Sequence, residues 1–283
     1  ASAILKPLKK VDGQWQEIDL EAAMREISQK MLSIKEKYGI KSIGVWKGES
    51  IDSTQGDLCR RFALAFGTPS IFSHDTLCAV SKHAAVKSVI GSYPTSDFQD
   101  AKCIVIWGSN PLTSHFPLYN KIREARKCGA KVILIDPRKN SFAKFADMYF
   151  PIKPATDGSL ALGIINIIIE NKWYDQAFVK EHTVGFEELA QYARKFNPRY
   201  VAEETGISQD DIYKISKTIA ESAPHATYRV GVGPEHHDNG FNNIRAIACI
   251  GALCGCTDRS GGDMLEEMPA LNSLLADVQG KME

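Results

Sequence analysis

Two short apolar runs of this chain end in acidic residues. Lys131-Val-Ile-Leu-Ile135 is followed by Asp136-Pro137-Arg138, and Met148–Ile152 is followed by Pro154-Ala-Thr-Asp157. Buried parallel strands read as apolar runs, and α/β proteins bind ligands at the edge of the sheet where such strands end. One carboxylate suits the hydroxyl groups of a ribose, and the other suits the N–H groups of a guanine base. This order of residues therefore indicates a nucleotide site.

Two further turns follow predicted strands. Gly108-Ser109-Asn110 comes after Cys103–Trp107, and Gly231-Val-Gly-Pro-Glu-His236 comes after Thr227–Val230. Small residues at strand exits let backbone N–H groups approach a phosphate or a heterocycle, with a helix N-terminus behind them. Taken singly, each of these is more often only a turn. The second turn lacks a third glycine in register, which disfavours an NAD-dependent dehydrogenase.

The cysteines are odd in number and scattered, which fits free thiols rather than a disulfide framework. Cys103 and Cys249 lie in apolar runs and are predicted to be core residues. The pair Cys254-Gly-Cys256 lacks the two-residue spacing and the second pair that typify a metal or redox motif. Cys78 differs from the others because its helix and turn context places it at the end of a strand. The seven are Cys59, Cys78, Cys103, Cys128, Cys249, Cys254 and Cys256.

The elements that position these residues alternate between strands and helices. Such alternation implies right-handed crossovers and a parallel sheet covered on both faces. The prediction is an α/β fold with three layers, α/β/α, around a mainly parallel sheet. Strands are predicted at Lys41–Trp46, Cys103–Trp107, Lys131–Ile135, Met148–Ile152 and Thr227–Val230. Helices are predicted at Asp19–Tyr38, Asp57–Phe66, Ser81–Ile90, Tyr119–Cys128, Gly158–Asn171, Asp175–Glu181, Gln209–Ser222 and Asn242–Leu253.

Composition limits the classes of function. A chain of 283 residues with 44% hydrophobic residues can bury a sizeable core in one large or two ordinary domains. Lysine plus arginine equals aspartate plus glutamate at 34 each, so no basic excess favours a nucleic acid or an anionic membrane surface. The apolar stretch around Leu160–Ile169 is too short to span a bilayer, and no signal peptide is visible. We therefore expect no direct membrane insertion, and either prokaryotic cytoplasm or periplasm fits.

In this order the segments resemble the molybdopterin oxidoreductases of the dimethyl sulfoxide reductase type. The resemblance runs from about Leu5 through nearly the whole chain. It implies a Rossmann-like domain for one half of a bis(molybdopterin guanine dinucleotide) cofactor that carries molybdenum or tungsten. The matching segments are Gln14-Trp-Gln-Glu-Ile-Asp-Leu-Glu-Ala-Ala23, Phe62-Ala-Leu-Ala-Phe-Gly-Thr68, Cys78, Trp107-Gly-Ser-Asn-Pro111, Ile135-Asp-Pro-Arg138, Pro154-Ala-Thr-Asp157, Trp173-Tyr-Asp-Gln-Ala-Phe178, Thr183-Val-Gly-Phe-Glu187 and Gly231-Val-Gly233.

Carried over residue by residue, the resemblance makes Cys78 the catalytic position and the protein ligand to the metal. Soft sulfur suits these metals, and a bound metal keeps the thiol deprotonated. The resemblance also implies the contacts to one guanine dinucleotide. Gly108, Ser109 and Asn110 line it, Asp136, Pro137 and Arg138 hold its ribose and phosphates, Thr156 and Asp157 recognise guanine, and Gly231, Gly233 and His236 approach the pterin. The pair His236-His237 fits a solvated loop equally well.

The chain departs from the family pattern at both ends. Full members often begin with a cysteine-rich segment for a 4Fe–4S cluster, and no such spacing occurs before Trp15. Members also continue well past a length of this size. We therefore expect a fragment, inactive alone, whose parent carries the 4Fe–4S ligands outside this chain. Residues 1–73 are predicted to belong to the second family domain, 74–273 to the third, and 274–283 to the return to the second.

The substrate is narrowed by exclusion. Formate dehydrogenases of this family place a histidine beside the ligand cysteine, whereas Ala79 follows Cys78, and Gly261-Gly-Asp-Met-Leu-Glu266 departs from their arginine and glutamine pattern. This disfavours formate and leaves sulfur oxyanions, polysulfide, arsenate or a redox-neutral hydration as small-molecule chemistry. In the parent, electrons would pass through a cluster to an iron–sulfur subunit. Lys82 and His83 are interpreted as helix-surface residues.

Two other classes of protein remain as alternatives. One is a non-catalytic electron-transfer scaffold related to the large iron–sulfur subunit of respiratory complex I, and the other is a plain nucleotide-binding module. The presence of Cys78 together with Asp136, Arg138 and Asp157 favours the enzyme, because a scaffold does not need a soft metal ligand beside a guanine pocket.

Overall fold

The structure is a computed structural model that describes residues 4–48, 53–74 and 78–265. These residues form two compact units that divide between positions 75 and 76, which we call the first unit (4–74) and the second unit (78–265). The predicted return at 274–283 lies outside the described residues, and the assignment of the two units to family domains stays a prediction. None of the described helices is both long enough and apolar enough to cross a membrane.

The first unit begins with a hairpin and a long helix. Strands β1 (Leu8–Val11) and β2 (Gln14–Glu17) pair in antiparallel register around Asp12-Gly13. Both turn residues have positive φ, 47° and 82°, as a two-residue hairpin turn of the type I′ kind requires. Helix α1 (Leu20–Tyr38) follows directly, and the carboxylate of Asp19 caps it by accepting from the third residue of the helix.

A parallel pair of strands completes the first unit. Strand β3 (Val45–Lys47) pairs with β4 (Ile71–Ser73), and helix α2 (Ser53–Phe66) lies between them in the chain. The strand predicted over Lys41–Trp46 is wrong in its first half. There the residues Ile40–Ser42 form a 3₁₀ turn, because the Ser42 hydroxyl and amide both bond to the carbonyl of the preceding glycine.

The second unit is built on a four-stranded parallel sheet. Its strands are β6 (Cys103–Trp107), β7 (Lys131–Ile135), β8 (Met148–Phe150) and β9 (Ala226–Val230), in the order β8-β7-β6-β9. A small antiparallel pair, β5 (Thr95–Ser96) with β10 (Asp263–Met264), lies beside β9. The predicted α/β fold with a parallel sheet is confirmed.

The helices of the second unit agree with the predicted ones, apart from shifts of a few residues at their ends. Two of them, α8 and α9, were not predicted. Helix α5 starts three residues before its predicted start because Pro117 suits a first turn and the His115 ring accepts from the Leu118 amide. The helices are α3 (Val80–Ile90), α4 (Pro111–Ser114), α5 (Phe116–Lys127), α6 (Asp157–Glu170), α7 (Gln176–His182), α8 (Phe186–Ala193), α9 (Pro198–Thr205), α10 (Gln209–Ser222) and α11 (Gly240–Leu253).

Alternate side chains of the sheet enter two separate cores. Ile104 and Ile106 of β6 pack with α5 on one face. Val105 and Trp107 of the same strand pack with α6, α10 and α11 on the other face. The chain therefore leaves β6 towards one face of the sheet and leaves the neighbouring β9 towards the opposite face. Such a topological switch point opens a crevice at the carboxyl edge, where doubly wound sheets bind ligands.

Asp263 covers the free edge of β9. Its Oδ1 accepts from the Thr227 hydroxyl at 2.6 Å and from the Tyr228 amide at 3.4 Å. Burial raises the pKa of this carboxyl to about 6.

A raised pKa in the folded state predicts how Asp263 affects stability. The group favours folding below its unfolded pKa near 4, and this contribution is lost as the pH rises through 6. Asp263→Asn should therefore stabilise the second unit by about 3 kcal/mol at about pH 8 and change it little at about pH 4. Urea-induced unfolding at both pH values checks this. The control is Asp210→Asn, at an exposed position of α10, and equal effects of the two substitutions at both pH values would contradict the prediction.

Candidate functional site

Two glycine turns lie against each other at the switch point. The Gly231 amide donates to the carbonyl of Trp107 at 2.8 Å, and the Gly108 amide donates to that of Ile135 at 2.8 Å. A Cβ on Gly231 would overlap the Gly108 carbonyl, and a Cβ on Gly108 would lie 2.6 Å from the ring of Pro234. Both positions therefore require glycine for steric reasons, and their bare main chain lines the crevice.

Asp157 is tied to the central strand by a buried hydrogen bond. The indole Nε1 of Trp107, a fully buried side chain, donates to Asp157 Oδ1 at 2.7 Å. Burial raises the pKa of Asp157, and the bond from Trp107 opposes that shift. Asp157 is also the first residue of α6, so its carboxylate lies at the positive end of a helix dipole. Among the described residues no second side chain donates to this carboxylate, which leaves lone pairs for donors from a ligand.

Asp136 forms a local turn at the end of β7. Its Oδ1 accepts from the Arg138 amide at 2.8 Å, and its Oδ2 accepts from Asn140 Nδ2 at 3.2 Å. Partial burial raises the pKa of this carboxyl, while the bond from the Arg138 amide opposes the rise. The Arg138 side chain is exposed, and its guanidinium has no hydrogen-bond partner within the described parts of the chain. This turn thus presents one fixed anion and one free cation.

Asn110 carries an unsatisfied acceptor at the same edge. Its Nδ2 donates to the Thr113 hydroxyl at 3.0 Å, whereas its buried Oδ1 lacks a donor anywhere in the described chain. A buried acceptor without a donor costs about 1–3 kcal/mol, so the position favours a ligand that brings an N–H or O–H group. Thr156 differs, because its hydroxyl donates to the carbonyl of Lys153 at 2.7 Å within its own turn.

The loop after β9 holds the segment that bears Cys78. Nε2 of His236 lies 3.3 Å from the Cys78 carbonyl oxygen. The neighbouring Glu235 has a fully buried carboxylate, which accepts from the Ser81 hydroxyl at 3.0 Å, from the Lys82 amide at 3.0 Å and from Lys82 Nζ at 3.1 Å. The interpretation of Lys82 as a surface residue is wrong, since its side chain is 12% exposed and paired with this carboxylate. His83 is exposed, as expected.

The structure brings most of the predicted site residues to one edge of one sheet. The glycine turns contact each other, Asp157 bonds to the residue before Gly108, and the backbone carbonyl of Cys78 contacts the loop after β9. Arg138 and Thr156 make only local contacts or none. Within the described residues no three His, Cys, Asp or Glu side chains form a cluster that could hold a metal ion. The pair Cys254 and Cys256 is buried, and burial raises the pKa of the Cys256 thiol to about 12, which fits core residues.

Sequence reasoning missed two residues that build the site and one that supports it. Trp107 was treated as a strand residue, although a buried indole N–H needs an acceptor and signalled one. Glu235 gave no signal, because its partners lie 153 and 154 residues away in the chain. Asn243 of α11 donates from Nδ2 to the carbonyl of Pro234 at 3.0 Å and thereby fixes the second glycine turn.

The model of the molybdopterin oxidoreductase family matches residues 4–270. The chain belongs to this family. The recognition made from the ordered motifs is thus confirmed. Family members are enzymes with a molybdopterin cofactor, and this chain carries part of that architecture.

Curated relatives agree with the family assignment. Acetylene hydratase of Syntrophotalea acetylenica is 33% identical over 259 residues, which are 89% of this chain and 35% of that protein. The thiosulfate reductase molybdopterin-containing subunit PhsA of Salmonella typhimurium is 30% identical over 267 residues, 92% of this chain and 34% of that protein. The solved structure of acetylene hydratase from Pelobacter acetylenicus matches with a TM-score of 0.77 at 32% identity and covers 89% of this chain and 35% of that one. This molybdopterin oxidoreductase chain spans about a third of the length of these relatives.

The residues at the carboxyl edge fit the family cofactor. The buried acceptor of Asn110 needs a donor, and the main chain at Gly108 and Gly231 is open to a flat or charged group. Two carboxylates and a free guanidinium match the hydroxyl, N–H and phosphate groups of a guanine dinucleotide. A thiol is a suitable soft ligand for molybdenum or tungsten.

Proposed function

We propose that this chain is the cofactor-binding part of a molybdenum or tungsten bis(molybdopterin guanine dinucleotide) oxidoreductase. In this proposal residues 74–273 are the third family domain and residues 1–73 are part of the second. The observation that carries the proposal is the switch-point crevice, where two glycine turns lie against each other beside Asp157. The chain would hold one of the two dinucleotides, and the other would be held by parts of the parent beyond this chain.

The strand ends divide the dinucleotide between them. Asp136 follows the strand next to β6, the position from which acids bind ribose hydroxyls in doubly wound sheets. Arg138 is a bidentate partner for a phosphate, and Pro137 between them fixes the turn. Asp157 would accept from the N–H groups of guanine while Trp107 holds its other oxygen. The glycine turns at Gly108–Asn110 and Gly231–Gly233 would approach the pterin and the phosphates.

Cys78 supplies the thiolate to the metal in this proposal. When bound, the cofactor supplies the two-electron chemistry at the metal, with oxygen-atom or hydride-equivalent transfer to the substrate. The contribution of the chain is positional. Glu235 anchors the start of α3, and His236 contacts the carbonyl of Cys78. Electrons would leave through a 4Fe–4S cluster of the parent towards a separate iron–sulfur subunit.

The parent substrate is proposed to be a sulfur or arsenic oxyanion or polysulfide rather than formate. Ala79 after Cys78 departs from the histidine of formate dehydrogenases. The name of one relative, thiosulfate reductase, supports sulfur chemistry, and that protein is by name one subunit of a larger enzyme. The name of another relative, acetylene hydratase, keeps a redox-neutral hydration as the second candidate.

Removal of the Cys78 thiol tests the proposal. Elemental mass spectrometry and pterin fluorescence after oxidation are measured on the anaerobically purified parent protein, on Cys78→Ala and on Cys128→Ala. Cys128 is an exposed cysteine and serves as the control. We expect one molybdenum or tungsten and two pterins per chain in the parent and the control, with the metal lost or the enzyme inactive in Cys78→Ala. A parent without metal and without pterin would contradict the proposal and favour the scaffold alternative.

Asp157→Asn tests the guanine contact. The amide keeps an oxygen for the Trp107 indole but offers a second donor where guanine also donates. We expect at least about tenfold weaker binding of guanine nucleotide, since hydrogen bonds to charged groups contribute about 1.5–3 kcal/mol. The measurement is the guanine released per chain after heat denaturation, together with titration of the cofactor-free protein. Asp210→Asn is the control, and unchanged guanine content in Asp157→Asn would count against the assignment.

A further inference from the structure

A cavity of about 390 Å³ lies in the second unit between α3, α5, α11 and β9. Its volume is within the range of small-molecule sites. None of the residues assigned above to the cofactor or the metal lines it. Its apolar wall comes from the helices and from the loop before β6. These apolar residues are Val86, Ile90, Phe98, Leu118, Ile244 and Ile247.

The cavity also contains an arginine without a counter-charge. Arg229 of β9 lines it, and the buried Nε of this side chain has no hydrogen-bond partner in the described parts of the chain. Lys121 of α5 also lines the cavity, and no ion pair involves it among the described residues. Tyr93 lies close enough to Arg229 for the guanidinium to oppose the burial that raises the pKa of the phenol.

The other charged groups around the cavity are already matched. Lys82 is paired with the buried carboxylate of Glu235 at 3.1 Å. The carboxylate of Asp263 accepts from the Thr227 hydroxyl and from the backbone of β9. The unbalanced charge is therefore positive, and it lies beside an apolar wall. A buried cation of this kind requires an anion, because an unpaired charge in a low-dielectric site is costly.

We propose that this cavity binds a small organic carboxylate with a compact apolar body. The carboxylate would form a bidentate pair with Arg229, with the Tyr93 hydroxyl and Lys121 as further donors. The body would occupy the apolar wall between α3 and α11. A bare inorganic oxyanion satisfies the guanidinium but leaves the apolar wall uncovered. The site goes beyond the proposed cofactor role and does not depend on it.

Calorimetric titration of the full-length protein with three probes tests the site. Benzoate supplies the charge and the apolar body, benzamide supplies the body alone, and sulfate supplies the charge alone. We expect saturable binding of one benzoate per chain, with benzamide and sulfate each at least about tenfold weaker. Sulfate binding as tight as benzoate would overturn the apolar part of the proposal.

Two variants connect the binding to this cavity. Arg229→Gln should weaken benzoate by about tenfold or more and change benzamide by less than about twofold. Arg194→Gln, at an exposed position of the same unit, is the matched control and should leave both unchanged. Ala248→Phe fills the cavity from α11 and should abolish the binding of both aromatic probes. Thermal unfolding of each variant verifies that it is folded. Absence of benzoate binding in the wild type, or unchanged binding in folded Arg229→Gln and Ala248→Phe, would overturn the proposal.

Discussion

Gly231→Ala is expected to destabilise the second unit by about 3 kcal/mol, because a Cβ at this position overlaps the carbonyl oxygen of Gly108. The obstacle is backbone rather than a flexible side chain, so relief requires β6 and β9 to separate at their carboxyl ends. The hydrogen bond from the Gly231 amide to Trp107 would lengthen at the same time. In the parent enzyme the same displacement would distort the crevice, and we expect loss of bound pterin.

Gly233→Ala is the matched control, two residues further along the same turn. Its Cβ would lie 3.7 Å from the Gly108 carbonyl oxygen, which is an ordinary van der Waals distance. We expect this variant to change stability by less than about 0.5 kcal/mol. Hydrogen exchange of peptides that span β6 and β9, measured by mass spectrometry, compares the two. Equal exchange in both variants would show that the Gly108 contact does not restrict the turn.

Glu235→Gln is expected to cost about 3 kcal/mol, because it leaves the ammonium group of Lys82 buried without a counter-charge. The start of α3 would also lose the carboxylate that accepts from its Ser81 hydroxyl and Lys82 amide. Because Cys78 lies two residues before α3, we expect its thiol to react faster with iodoacetamide in the cofactor-free variant. Urea-induced unfolding and the rate of alkylation measure the two effects.

A second substitution separates the charge from the position. Glu235→Gln combined with Lys82→Met removes both partners, and it should recover most of the lost stability since an apolar replacement of a buried pair is often neutral. The control for a surface pair is Glu221→Gln, whose partner Lys217 is about half exposed at 3.7 Å. It should change stability by less than about 1 kcal/mol. A double variant no more stable than Glu235→Gln would refute the role of the unpaired ammonium.

The parallel sheet of the second unit was predictable because its strands are short apolar runs with clear ends. Cys103–Trp107 and Lys131–Ile135 have the predicted bounds, and both are fully buried apart from Lys131. The first unit was less predictable. The start of the strand predicted from Lys41 is a 3₁₀ turn, which a serine side chain stabilises locally. A local hydrogen bond of this kind competes with strand pairing and leaves no trace in the hydrophobic pattern.

The candidate site was predictable as far as strand ends identify it. Asp136 and Asp157 follow their strands directly, so a parallel sheet must bring them to one edge. The supporting contacts were not predictable, because they join residues far apart in the chain. Trp107 and Asp157 are 50 residues apart, and Cys78 and His236 are 158 apart. Only the packing of α3 and α6 against the sheet creates these neighbours.

The hydrogen bond from Trp107 to Asp157 gives one carboxylate two tasks, to anchor α6 on the central strand and to receive a ligand. Affinity and folding are therefore linked through a single group. A base that donates to the free oxygen of Asp157 strengthens the acid in its ionised form, and with it the bond that secures the helix. Protein made without cofactor should accordingly unfold earlier than loaded protein, so that the supply of cofactor sets how much of the chain survives proteolysis.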